Sequence, residues 1–186
     1  PSEMIAKYGA ASVRLFCRFA APPEKDLEWN DKGIEGSSRF LNRLWRLVDE
    51  LEDVLSPVGA CVDVSGALGE AEAELRRKEH DTVRRVERDI ENKFQFNTAI
   101  AAMMELVNTL YATKDDLRES ANGPRLLSSA ISSLLVTLSP IAPHICEEIW
   151  ARMGYTRTLA AEPWPTHDPE ALKTSEVTVV LQVNGK

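Results

Sequence analysis

Neither a disulfide framework nor a zinc site can be built from this chain. Its three cysteines, Cys17, Cys61 and Cys146, are odd in number, far apart and outside any Cys-x-x-Cys or Cys/His spacing. They read as reduced packing thiols of a cytoplasmic protein. No apolar run approaches the ~20 residues needed to cross a bilayer, so a helical membrane span is excluded. A Walker loop and a dinucleotide glycine fingerprint are both missing. His80 and His144 have no Ser, Cys or carboxylate partner at motif spacing, and His167 falls in a late loop, so no catalytic constellation emerges. Positive charge is also short: 22 Lys and Arg against 29 Asp and Glu leave a net charge of -7. That balance excludes a protein that coats nucleic acid through overall basicity, and any such contact must use a local patch.

What is present is helix. The 186 residues suffice for one sizeable core. From Ile34, apolar positions Leu41, Leu44, Val48, Leu51 and Leu55 recur at helical spacing, predicting a helix from Asp31, its N-cap, to Leu55. Leu75, Val83, Val86, Ile90 and Phe94 mark a second long helix starting near Leu68. Three more follow: one capped by Asn97, one with Pro124 in its first turn and Pro140 at its end, and one closed by Gly154 at C′. Ahead of them Ser2 caps a short helix through Tyr8, Gly9 turns the chain, and a helix over about 11–20 leads to the double proline of "PPEKDLEW", under which Trp29 is expected to pack. Val177 to Val183 alternates as a strand, and a lone strand cannot satisfy its edges. With Pro1 in place of an initiator methionine, the chain reads as an excised piece. The expected fold is all-α, a helical bundle with a short C-terminal β-strand.

"RFLNRLWR" carries the most informative pattern. At 100° per residue Arg39, Arg43 and Arg46 share one arc with Lys32, across from Leu41, Leu44, Val48 and Leu51. Arginine forks suit phosphate oxygens, so the stripe is either a phosphate contact or a solvated face neutralised by Glu35 and Glu50. A second cluster, "LRRKEHDTVRRVERD", holds Arg76, Arg77, Lys78, Arg84, Arg85 and Arg88 interleaved with acids and reads as a salt-bridged surface helix, although Arg84 and Arg88 share a face. His144, Glu147 and Glu148 imitate a metal-ligand face, but no matching Glu-x-x-His lies on another helix, and a packed or capping histidine is the better reading.

Taken together, "PSEMIAKYGAASVRLFCRFAAPPEKDLEW", "GIEGSSRFLNRLWRLV", "FQFNTAIAAMMELVN", "LSPIAPHICEEIW", "EPWP" and "VTVVLQVNGK" resemble the bacterial leucyl-tRNA synthetases, class I aminoacyl-tRNA synthetases, over essentially the whole chain. The resemblance implies a segment running from just after the KMSKS loop through the anticodon-binding domain of class I type. Residues 1–30 would be the stem-contact joint, 31–155 the tRNA-binding bundle and 156–186 the lead into a further C-terminal domain. It also implies that the whole enzyme uses ATP and Mg to attach leucine to tRNA-Leu, that this part is not catalytic and holds no cofactor, and that its partners are tRNA-Leu and the other domains of its own chain, in a cytoplasmic monomer. Arg39, Arg43 and Arg46 are then the residues expected on the tRNA backbone, positioning it without reading bases.

The same domain of a valyl or isoleucyl enzyme is the neighbouring alternative, and a helical scaffold binding only protein is the alternative of another class. Ala11 departs from the family's usual "YGAD", where Asp would cap the second helix. Ser12 is expected to take over as cap one residue later.

Overall fold

The computed structural model describes residues 2–20 and 29–173, apart from the side chains of residues 92 and 93. Seven α-helices appear among them: α1 (Ser2–Tyr8), α2 (Ala10–Phe19), α3 (Asp31–Leu51), α4 (Glu70–Lys93), α5 (Phe96–Arg118), α6 (Gly123–Leu138) and α7 (Pro143–Arg152), followed by two 3-10 turns, Leu159–Ala161 and Pro169–Leu172. These are the five main helices and the short N-terminal pair expected. The double proline and the strand at Val177 to Val183 lie outside the described residues.

α6 is the axis of the bundle because its sequence allows nothing else. After Arg125 it carries no charge, and every residue from Leu126 to Leu138 is buried, as expected of a helix that is apolar or hydroxylic all round. α4 and α5 pack on it and on each other, and α7 returns along it after the turn at Pro140. Leu44, Leu47, Leu51, Leu75, Met103, Leu106, Leu110, Leu134 and Trp150 belong to one main core. Val13, Phe16 and Ile34 form a smaller cluster with Met4 and Tyr8, which fastens α1 and α2 to α3.

The connection between α3 and α4 has no regular structure, yet its backbone is tied down along one face of α6. Ser128 Oγ accepts from the N–H of Ser56, Ser129 Oγ from Val62 and Ser133 Oγ from Cys61, at 3.1, 3.0 and 3.2 Å. Ser132 is hydrogen-bonded to the Tyr155 hydroxyl, which accepts from Gly59 N at 2.7 Å. Tyr155 in turn lies flat on Trp150, with ring centroids 3.4 Å apart. Three serines that interrupt an apolar helix thus accept directly from part-buried backbone donors, and a fourth, Ser132, holds the tyrosine that accepts another.

Helix ends differ from expectation in instructive ways. Asn30, not Asp31, caps α3, its Oδ1 accepting from Lys32 N and Gly33 N, and α3 stops at Leu51. Gln95 precedes α5, so Asn97 lies inside its first turn. Gly154, at φ 92°, stands beyond the end of α7 as predicted. Ser12 does not cap α2. Gly9, at φ 80°, donates its N–H to Ile5 O and accepts from Val13 N, closing α1 and opening α2 in a single residue. α2 therefore begins at Ala10 without a side-chain cap, and Ser12 is buried within it.

Three side chains also sit elsewhere than predicted. Trp29 is 47% exposed and so not a core residue, its ring set edge-on to Phe16 with centroids 5.9 Å apart, while the charged corner it was expected to pack under lies outside the described residues. Phe94 leaves the α4 face because it adopts a left-handed turn, φ 48°, and is exposed. Cys17 is exposed too and is no packing thiol. Cys146 is buried, and its desolvated thiol is pushed up, while burial and the neighbouring Glu79 carry Cys61 up to about 12. Brief treatment with a thiol reagent at pH 8 is expected to modify Cys17 alone, and all three cysteines only after denaturation. Mass spectrometry of tryptic peptides reads this directly, and rapid native labelling at Cys61 or Cys146 would contradict the burial.

Candidate nucleic-acid interface

The stripe on α3 forms as its periodicity requires. Phe40, Leu41, Leu44, Leu47, Val48 and Leu51 are buried on one side, while Lys32, Arg39, Arg43 and Arg46 are exposed on the other. Arg39 meets Glu35 at 3.3 Å, with both side chains more than half exposed, so solvent leaves little energy in the pair. Arg46 and Lys32 have no side-chain hydrogen bond or ion pair among the described residues. Glu50, expected as a neutralising neighbour, turns to Lys114 of α5 at 3.3 Å.

Arg43 has the most partners of the three arginines. Its guanidinium lies 4.9 Å over the Tyr111 ring and donates to Asn108 Oδ1 at 3.0 Å, while the Tyr111 hydroxyl donates to the Arg43 carbonyl at 2.8 Å. Burial and nearby Glu50 raise the Tyr111 pKa, keeping that phenol a donor. Tyr111 and Asn108 were not foreseen. They belong to α5, more than 60 residues along the chain, and only packing brings them beside α3. Because neither is a carboxylate, Arg43 is held in place with its charge intact.

The second basic cluster is largely neutralised, as its interleaved acids suggested, with Arg77 alone of its six cations outside an ion pair among the described residues. Arg76 pairs with Asp168 at 2.8 Å, Lys78 and Arg85 converge on Glu105 at 2.6 Å, Arg84 pairs with Asp81 and Arg88 with Asp89. Arg85 and Lys78 together hold Glu105 at about 2. Of the seven described cations in α1 to α3 only Arg39 is ion-paired, whereas nine of the twelve from α4 onward are. In an acidic chain the un-neutralised positive charge is therefore concentrated in the first three helices.

The imitation of a metal face at His144, Glu147 and Glu148 is put to another use. Both carboxylate oxygens of Glu147 accept from residues 158–160: Thr158 Oγ1 at 2.6 Å, Leu159 N at 3.0 Å and Ala160 N at 3.2 Å. Those bonds depress its pKa and anchor the 3-10 turn that follows α7. His144 and Glu148 are exposed.

Comparison with known proteins agrees with this architecture. The leucine–tRNA ligases of Oleidesulfovibrio alaskensis and Nitratidesulfovibrio vulgaris strain Miyazaki F are 53% and 55% identical over the whole of this chain. The chain spans only 23% and 22% of their lengths. Among solved structures, LeuRS of Agrobacterium radiobacter K84 in a ternary complex with tRNA and LeuAMS matches with a TM-score of 0.82 and 31% identity, over 93% of this chain and 21% of that one. Methionyl-tRNA synthetase of Mycobacterium tuberculosis, at 18% identity and a TM-score of 0.55 over 89% of this chain and 39% of that one, shares the fold. These relatives favour the leucyl reading over the valyl and isoleucyl ones. The family model for the anticodon-binding domain of tRNA ligase matches residues 72–186. The chain belongs to that family, and along its full length it is similar to leucine–tRNA ligases.

Proposed function

We propose that this chain is the tRNA-docking domain of a leucine–tRNA ligase and that Arg39, Arg43 and Arg46 hold the phosphate backbone of tRNA-Leu. The observation that carries the reading is the un-neutralised charge of Lys32, Arg43 and Arg46 on α3, beside an Arg39 held only by an exposed pair, with Arg43 braced by Asn108 and Tyr111 and free of any carboxylate. A guanidinium immobilised in this way loses little further freedom when it grips a phosphate. Residues 1–30 serve as the joint to the catalytic body, 31–155 as the docking bundle and 156–186 as the lead into the next domain. Leucine activation with ATP and Mg, and transfer to tRNA-Leu, belong to the rest of the protein, which works as a cytoplasmic monomer.

Binding of the chain to a tRNA-Leu transcript, measured across a salt series, tests this. Each phosphate neutralised releases counterions, so wild-type affinity falls steeply with salt, and Arg39→Ala/Arg43→Ala is expected to weaken binding about tenfold and flatten the logarithmic slope by about 2. Identical slopes for wild type and double variant would return the stripe to ordinary solvated surface and favour a scaffold that binds only protein.

A further inference from the structure

Beside Arg43 the seam between α4 and α5 opens into a cleft of about 350 Å³, at the lower end of small-ligand sites. Its rim is chemically unlike the stripe. Glu74, Asp81 and Glu105 outnumber Arg77 and Lys78 there, so a phosphate would be repelled. Lys78, Asp81 and Glu105 are committed to ion pairs. Glu74 and Arg77 have no hydrogen bond or ion pair among the described residues, the Thr109 hydroxyl has none either, and Asn108 uses only its carbonyl oxygen, on Arg43. What remains is an uncommitted carboxylate, a guanidinium plane, a hydroxyl and an amide N–H₂ around one small space.

That set suits the edge and face of a nucleobase. A carboxylate accepts from exocyclic amino groups, an amide and a hydroxyl supply the complementary bonds, and a guanidinium plane offers a stacking surface for an unpaired base. Asn108 joins the two places: it lines the cleft and lies 3.0 Å from the Arg43 guanidinium. A nucleotide whose phosphate rests on Arg43 would have its base at the cleft mouth.

We propose that the α4–α5 cleft takes the base of an unpaired nucleotide bearing an exocyclic amino group, with Glu74 as the principal acceptor. This rests on the reading of α3 as a phosphate contact and adds base discrimination to the seam beside it.

The test uses the 186-residue chain and three RNA probes with the same stem: a hairpin with a cytidine loop, a hairpin with a uridine loop, and a fully paired duplex. Wild type is expected to bind the cytidine hairpin about tenfold more tightly than the other two. Glu74→Gln and Thr109→Val should each reduce that preference at least threefold while leaving duplex affinity and the salt slope as in wild type, because neither residue touches Arg43. The sign of the Glu74→Gln effect is decisive. Removing a carboxylate strengthens binding wherever the cleft faces phosphate, so tighter binding to all three probes overturns the proposal. Equal wild-type affinity for the three probes also overturns it, while a steep salt slope lost in Arg39→Ala/Arg43→Ala leaves the docking function standing. Absence of salt-sensitive binding to any probe removes both.

Discussion

Glu79→Ala is expected to destabilise the chain by about 3 kcal/mol, a large effect for a single side chain in a run of charges. Glu79 is 1% exposed on the face of α4 turned toward α6. Its Oε1 accepts from Ser133 Oγ at 2.6 Å, Ser129 Oγ at 2.7 Å and Cys61 N at 2.9 Å, whereas Oε2 has no partner. Burial raises its pKa against the opposing pull of the three donors. Alanine would strand the Ser129 and Ser133 hydroxyl donors, each costing about 1–3 kcal/mol when buried and unpaired, with partial recovery as the serine rotors turn to other acceptors, while Cys61 N–H keeps its second bond, to Ser133 Oγ.

The sign of the pH dependence follows. With a raised native pKa, the folded state binds more protons than the unfolded one between the ordinary carboxylate range and the elevated value, so this contribution is complete below that range and is lost as pH climbs through the window. Glu79→Gln keeps the accepting oxygen and removes the titration. It should match wild type near pH 4 and exceed it near pH 8 in urea unfolding. A glutamine variant as damaged as the alanine one at every pH would show that a charged carboxylate is required.

Glu79 also marks where sequence reasoning ran out. "LRRKEHDTVRRVERD" reads as a solvated helix, and its arginines other than Arg77 do sit in ion pairs. Its acids are divided. Glu79 and Asp89, together with Glu72 just ahead of the stretch, are buried with Leu75, Thr82 and Val86, a row at three- and four-residue spacing. The row was visible, but nothing local says that serines wait opposite it, because Ser129 and Ser133 are 50 and 54 residues away from Glu79. Likewise the α3 stripe was legible, since one helix fixes its own periodicity, while Tyr111 and Asn108 were not. Caps were misplaced by a residue or two because Asn30 and Asp31 are equally good candidates and only the backbone chooses between them. Long helices declare themselves through many residues, but a cap or a buried hydrogen bond depends on one partner placed by the fold.

Gly123→Ala is expected to cost at least about 3 kcal/mol, the upper end of overpacking penalties, and to lower Tm by about 10 °C. A Cβ there would stand 1.7 Å from the Leu117 carbonyl oxygen and 2.6 Å from its carbon. This is backbone at the end of α5, and it cannot step aside. The turn is braced from the other side by Glu72, whose Oε1 accepts from Ser120 Oγ at 2.8 Å and Asn122 N at 2.9 Å, so relief of the clash pulls against the start of α4 as well.

Two glycines of α3 are the controls. At Gly33 the added carbon meets the Phe16 ring at 2.5 Å, but a ring can shift toward the half-exposed Trp29, so the cost should be about 1–2 kcal/mol. At Gly36 the nearest atom is the end of Arg39, 3.8 Å away, and alanine should stabilise by about 1 kcal/mol through helix propensity alone. Thermal unfolding of the three variants side by side is expected to give one gain, one modest loss and one large loss. A Gly123→Ala chain as stable as wild type would mean that the α5–α6 turn is looser than its hydrogen bonds indicate, whereas a loss at Gly36 would point to a requirement for glycine unrelated to space.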